Sequence, residues 1–361
     1  MTPRERITAV FNHKQADRVG IMDHFWWEPL VEWQSEGSMP KNADPEDYFD
    51  FDIRKVGMDI SPMLPRENVE DTEDYRIFRD EFGMLNREWK KKQSTPELLD
   101  FACKSREKWY GETKQRMAWK HSRLDVDGIR TAVERWRREG RYVTFSVLEV
   151  FETGWRIIGP ELQLEVMLDD PEWLHDIYET ITSLIERGFE TILQAGIELD
   201  GIWLWGDISY RGGCFFSPAM YRELVMPYHK RLCGLAHRVC GKTIYHGCGD
   251  NTRIIPLLIE SGVDCLQPLE VKAGMDVLQA KRDYGEWLSF MGNIDARLLQ
   301  SNDLPGLEKE LKEKIEFAKR GGGYVYHTDH SVPPGTSYDI YTKVLEMART
   351  YGRYNNNSNH H

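Results

Sequence analysis

Short runs of apolar, β-branched and aromatic residues, each bounded by Gly, Pro or Asp, recur along the chain, and most are followed by a stretch of helical periodicity. The runs lie at residues 18–23, 54–60, 142–150, 201–207, 242–248, 263–269, 287–292 and 323–328, which predicts eight strands. Helical spacing fills residues 160–167, 171–195, 217–239, 251–261, 276–284, 304–320 and 337–351. Pro171 and Pro218 stand where a first helical turn tolerates proline, with Asp170 and Ser217 before them as N-caps. Gly241 and Gly262 follow two of the helices as C-cap residues do.

Strands alternating with helices make an α/β protein with a parallel sheet, either open and doubly wound or closed into a barrel. The doubly wound form announces itself by a glycine-rich phosphate turn after its first strand. Residues 18–30 contain no such turn. Eight strands with regular helical crossovers predict a (β/α)₈ TIM barrel formed by residues 1–354, with a long insertion after the second strand at residues 61–141. The insertion holds a hairpin-like piece, residues 75–89, turning at Glu81-Phe82-Gly83, and then two charged helices; it is expected to act as a lid over the barrel mouth. The polar, low-complexity residues 355–361 read as a disordered tail or tag remnant.

Charge narrows the choice of partners. A formal net charge of −12 speaks against nucleic acid and anionic membranes, which require clustered Lys and Arg. No apolar run approaches the length of a membrane span, and residues 1–15 lack the apolar centre of a secretory signal. The six cysteines are scattered through a long chain, which suits reduced thiols and a cytoplasmic location.

In a barrel the strand middles are packed and the loops after the strands build the site, so polar residues at the carboxyl ends are informative. His24, Glu149, Asp207, His246, Cys248, Asn293, His327 and His330 all fall there. The sharpest cluster is Tyr245-His246-Gly247-Cys248-Gly249-Asp250. Residues two apart on an extended segment face the same way, so the His246 imidazole and Cys248 sulfur converge on one ion. A thiolate beside an imidazole suits Zn²⁺, which takes a third protein ligand, and the eighth strand offers His327 and His330. An isolated pair of this kind equally fits a core thiol next to a hydrogen-bonded histidine. Asp207 follows Trp203-Leu204-Trp205-Gly206, too apolar a stretch to solvate a carboxylate; it serves acid–base chemistry, or else caps a helix or pairs with Arg211. Glu149 and Glu152 are alternatively partners of Arg156, and Trp26-Trp27 either packs the core or walls a site for a flat ligand.

Several stretches carry a family resemblance across nearly the whole chain: Thr2-Pro3-Arg4-Glu5-Arg6 with Asp17-Arg18-Val19, Glu81-Phe82-Gly83, His246-Gly247-Cys248-Gly249, Gly262-Val263-Asp264, Met291-Gly292-Asn293-Ile294-Asp295, and Asp329-His330-Ser331-Val332-Pro333-Pro334. Together they resemble the uroporphyrinogen decarboxylase superfamily, which implies a (β/α)₈ barrel. The decarboxylases of that superfamily carry an arginine-rich motif near the first strand to hold the porphyrinogen carboxylates. Residues 21–28 here contain no arginine and two acidic side chains.

The other branch, the corrinoid-dependent methyltransferases, binds zinc through a His-x-Cys pair and a later cysteine before a Pro-Pro turn. His246 and Cys248 match the pair, and His330 stands at the later position, which implies a zinc site of His246, Cys248 and His330. The resemblance further implies a methyl group passing between a small donor, a methoxyaromatic or other O- or N-methyl compound, and the cobalt of a corrinoid carried by a partner protein. In that scheme Asp207 and His327 are catalytic, and His24, Trp27, Glu149 and Asn293 bind substrate. A competing reading is a metal-free lyase acting on a smaller carboxylic acid, with Asp207 and His327 as its acid–base pair.

Overall fold

A computed structural model describes residues 1–91 and 95–354; the expected tail at 355–361 lies outside the described residues. Eight strands form one parallel sheet: β1 (Gly20–Ile21), β2 (Ile53–Gly57), β3 (Tyr142–Leu148), β4 (Gly201–Trp205), β5 (Lys242–His246), β6 (Cys265–Gln267), β7 (Ser289–Met291) and β8 (Tyr324–Tyr326). Each lies within, or one residue from, a run marked by the sequence. They are ordered β1-β8-β7-β6-β5-β4-β3-β2, every neighbouring pair parallel. The sheet curls until its two ends meet: Asp52, just before β2, donates its backbone N–H to the Ile21 carbonyl at 2.9 Å, and its carboxylate accepts the Ile21 N–H at 2.7 Å. This is an α/β protein of TIM-barrel type. Strands buried on both faces read as continuous apolar runs, as in β4, where Ile202, Trp203 and Leu204 are fully buried.

The helices start where their caps place them. The Asp170 side chain accepts from Trp173 N–H at the head of Pro171–Gln194, and Ser217 does the same for Met220. Gly262 ends Ile255–Ser261 in the left-handed region, φ 95°. At Gly241 the expectation was wrong in detail. Cys240 takes the left-handed turn, and Gly241 is needed because a Cβ there would sit 2.6 Å from the Asp200 carbonyl.

Helices Pro3–Phe11, Trp27–Ser35, Val150–Ile158 and Ala296–Gln300 were not marked from the sequence. The first carries the amino-terminal signature. Thr2 and Glu5 form a capping box around Pro3. Arg6 then reaches Asp17 at 2.7 Å and the fully buried Asp52 at 2.7 Å, which Arg18 also holds at 2.7 Å. Thr2-Pro3-Arg4-Glu5-Arg6 and Asp17-Arg18 are thus the clasp that ties the first helix to the seam between β1 and β2.

Between β2 and β3 the chain forms a separate antiparallel sheet from Glu67–Asp71, Tyr75–Arg79, Met84–Trp89 and Glu97–Phe101, in that order. The central hairpin turns at Glu81-Phe82-Gly83, as its sequence suggests. The outer strands escaped notice because Glu67–Asp71 is exposed throughout and has no alternating face. Phe101 lies against Gly159, where a Cβ would come within 2.9 Å of its ring, so this sheet leans on the junction of Val150–Ile158 and Pro160–Asp169. Charged helices follow at 106–116 and Val126–Arg138. Among the described residues, no helix is long and apolar enough to cross a membrane.

Candidate metal centre at the carboxyl ends of β4 and β5

His246 is the last residue of β5, and Cys248 follows two residues on. Their ligand atoms lie 3.6 Å apart, Nε2 to Sγ. Asp207, two residues beyond β4, places Oδ1 3.6 Å from the same His246 Nε2 and accepts the Cys248 backbone N–H at 2.8 Å. One ligand atom from each of Asp207, His246 and Cys248 can be chosen so that all three lie within 4.8 Å of one another, which makes these residues a candidate metal-binding group.

The tautomer of His246 is set from behind. Gln267, the last residue of β6, accepts from His246 Nδ1 at 2.6 Å, so the ring proton sits on Nδ1 and the Nε2 lone pair faces Cys248 and Asp207. The same amide donates to His327 Nε2 at 3.2 Å. His327 gives its Nδ1 proton to the Thr328 carbonyl at 2.5 Å, and its Nε2 also receives His24 Nδ1 at 2.8 Å. His24 Nε2 accepts from Lys55 of β2 at 3.1 Å, and Lys55 is paired with Glu46. Burial pushes the pKa values of His24, His327 and His246 down, His327 to about 3. The mouth is therefore floored by neutral imidazoles. Trp203 and Trp205 stack beneath them at 5.3 Å, with His246 4.5 Å from Trp205.

Burial, reinforced by the Asp207 and Glu270 carboxylates, pushes the Cys248 thiol pKa up. Glu270 is itself buried, accepting from Gly249 N–H at 2.7 Å. A sulfur, an imidazole and two carboxylates thus share a small volume, and a bound cation would relieve the penalty on the thiolate. One soft sulfur, one nitrogen and one oxygen are a donor set that Zn²⁺ accepts.

Other residues marked by the sequence fall elsewhere. His330 stands outside the group of three, its ring stacked on Trp26 at 6.0 Å. Trp27 opens a helix and is 65% exposed, so it is Trp26 that meets a mouth residue. Glu149 is fully buried and spent: it accepts from Phe151 and Glu152 N–H at 2.8 and 2.7 Å and pairs with His229 at 2.8 Å. Gly206 passes so close that a Cβ would lie 2.2 Å from the Glu149 carboxylate. Glu149 caps Val150–Ile158 and has no oxygen free for substrate, while Glu152 is the one that pairs with Arg156, at 2.6 Å. Asn293 is likewise consumed, donating to the Leu269 and Met275 carbonyls and accepting from Val277 N–H. Gln267 and Lys55 were missed; each is a polar residue inside a run read as strand interior, but Arg54 and Asp59 share the run of Lys55 and Asp264 that of Gln267, so the sequence did not single them out.

A family model described as uroporphyrinogen decarboxylase matches residues 153–351. Among curated proteins, the uroporphyrinogen decarboxylase of Streptomyces avermitilis is 24% identical over 188 residues, 51% of this chain and 49% of that protein. The methylated-thiol–coenzyme M methyltransferase of Methanosarcina mazei is 28% identical over 204 residues, 56% of this chain and 50% of that protein. The chain thus spans about half the length of the curated relatives it matches. A solved structure titled as a methyltransferase from Methanosarcina mazei superposes with a TM-score of 0.64 at 14% identity, covering 97% of this chain and 98% of that one, a likeness of fold. With more than half of its residues matched by the family model, the chain belongs to the uroporphyrinogen decarboxylase family.

Proposed function

We propose that this protein is a methyltransferase of that family, moving a methyl group between a small O- or N-methyl compound and the cobalt of a corrinoid held by a partner protein. The observation that carries the reading is the convergence of Asp207, His246 and Cys248 on one point at the strand ends. The first strand end supports it from the other side. Porphyrinogen decarboxylation needs cationic side chains for a polycarboxylate, and residues 21–28 contain neither Arg nor Lys.

Zinc held by Asp207, His246 and Cys248 would supply Lewis acidity toward the heteroatom that bears the methyl group. The chain's own residues do the rest. Gln267 keeps the His246 Nε2 lone pair aimed at the ion position. Asp207, 47% exposed, would orient the methyl-bearing oxygen or nitrogen, or protonate it as it leaves, through the carboxylate oxygen not given to the ion. The Trp203–Trp205 stack and the neutral His24–His327 pair exclude water beneath the site. The antiparallel sheet and the two charged helices between β2 and β3 act as a lid that admits the corrinoid protein.

The reading is tested by adding reduced cobalamin and a panel of methoxyaromatics, methylamines and methanol to the zinc-loaded protein. Cobalt methylation by at least one donor is the expected outcome, lost together with bound zinc in His246→Ala and Cys248→Ala. A protein that binds no zinc and methylates cobalt from no donor refutes the reading.

A further inference from the structure

A cavity of ≈ 250 Å³ opens beside Asp207. Its walls come from separate parts of the chain: Leu98 from the antiparallel sheet, Phe151 and Trp155 from Val150–Ile158, Leu164 from the next helix, and Phe215 from the loop after β4. Its polar lining is Glu152 and Asp207, and Asp207 is shared with the His246–Cys248 group. None of the family-signature stretches contributes a wall. We propose that this cavity seats the body of the substrate, and that it takes an uncharged, singly ringed aromatic compound whose methyl-bearing substituent points to Asp207. The proposal rests on the methyltransferase reading for the fate of the methyl group, but not for the binding itself.

Size and charge decide the class. A dry cavity of roughly 150 Å³ holds benzene, so this volume suits one ring with one or two small substituents and is far too small for a tetrapyrrole. Phe151, Phe215 and Tyr210 stack in succession at 6.2 and 5.4 Å between centroids, so this wall is a fixed row of rings beside which a further ring packs. Glu152 is paired with Arg156 and Asp207 belongs to the ion group, and among the described residues the lining holds no free cationic side chain to receive a carboxylate-bearing ligand. An organic cation is disfavoured for a different reason. The Arg156 guanidinium already lies over the Trp155 ring at 4.8 Å, so the strongest cation-binding ring of the lining is taken and a second cation there would meet a like charge.

The test is a titration of the full-length protein with 2-methoxyphenol, 2-methoxybenzoate and tetramethylammonium, followed by calorimetry. Binding of 2-methoxyphenol alone is expected, weakened about tenfold or more in Leu98→Glu and Phe215→Ala and retained in His246→Ala. Leu98 and Phe215 are 38% and 43% exposed, so melting temperatures should stay at the parent value, and Leu168→Ala, at a 71% exposed position outside the cavity, serves as the control. Equal or stronger binding of the carboxylate or the ammonium overturns the assignment, as does 2-methoxyphenol binding that ignores Leu98→Glu and Phe215→Ala in a folded protein. Ring binding in the cavity without cobalt methylation would refute the methyltransferase reading and leave the cavity standing. Methylation indifferent to the cavity variants would do the reverse.

Discussion

Gln267 illustrates how one side chain organises several others. Its amide oxygen fixes the proton of His246 on Nδ1, and its amide nitrogen engages His327, so a single residue of β6 couples the candidate metal ligands to the imidazole floor. Partners of this kind raise ligand basicity and hold ring orientation. Gln267→Leu is therefore expected to weaken zinc binding by about 10- to 100-fold, measured by competition with a chromogenic chelator, with the far-ultraviolet circular dichroism unchanged. Gln267→Glu retains an acceptor for Nδ1 and should restore most of that affinity. An unaltered zinc affinity in Gln267→Leu would remove Gln267 from the site. At the same scale, Glu149 and Asn293 show why a polar residue at a strand end is an ambiguous sign: a carboxylate or amide there also caps helices and satisfies loop carbonyls, and in these two cases backbone partners take every oxygen and amide proton.

At the level of elements, the first helix and the loop before β1 are held by charge. Burial alone would raise the Asp17 pKa, but the Arg6 guanidinium outweighs it and holds the carboxyl at about 2, against 3.8 for an unperturbed one. Between those values the folded chain binds fewer protons than the unfolded chain, so this contribution is present above pH 4 and is lost as pH falls toward 2. Asp17→Asn should accordingly flatten the acid limb of the melting temperature between pH 4 and pH 2 and leave the neutral region less stable. Removing the cation is costlier, because Asp52 has no exposure and would keep only the Arg18 guanidinium and the Ile21 N–H. Arg6→Met is expected to cost ~3 kcal/mol in urea unfolding. The same logic explains Asp329 in the last signature stretch: it accepts from Val271 and Ala296 N–H and so ties the loops after β6 and β7 to β8. Much of what makes these stretches recognisable is this structural work.

Over the whole molecule, the barrel supplies the candidate ligands and the antiparallel sheet supplies one wall of the cavity. The sheet leaves and rejoins the barrel at nearly one place, since the Leu64 and Ala102 side chains both approach Gly83, within 2.8 Å of where its Cβ would stand. Replacing residues 64–102 by a short Gly-Ser linker should therefore leave a folded barrel that still binds zinc, while 2-methoxyphenol binding is lost with Leu98. Loss of zinc binding together with the sheet would show that the metal centre depends on it.

The eight apolar runs and the caps at Asp170, Ser217 and Gly262 were legible in the sequence because local patterning and backbone chemistry do not depend on distant partners. The His-x-Cys pair was legible for the same reason, since alternation along an extended segment puts both side chains on one side. What the tertiary structure alone decided is which groups from different strands meet. Asp207 joins His246 and Cys248 because β4 and β5 are neighbours in the sheet, while His330, from the loop after β8, has its ring stacked on Trp26. Distances across a barrel follow strand order and curvature, and neither is written in the spacing of residues along one strand.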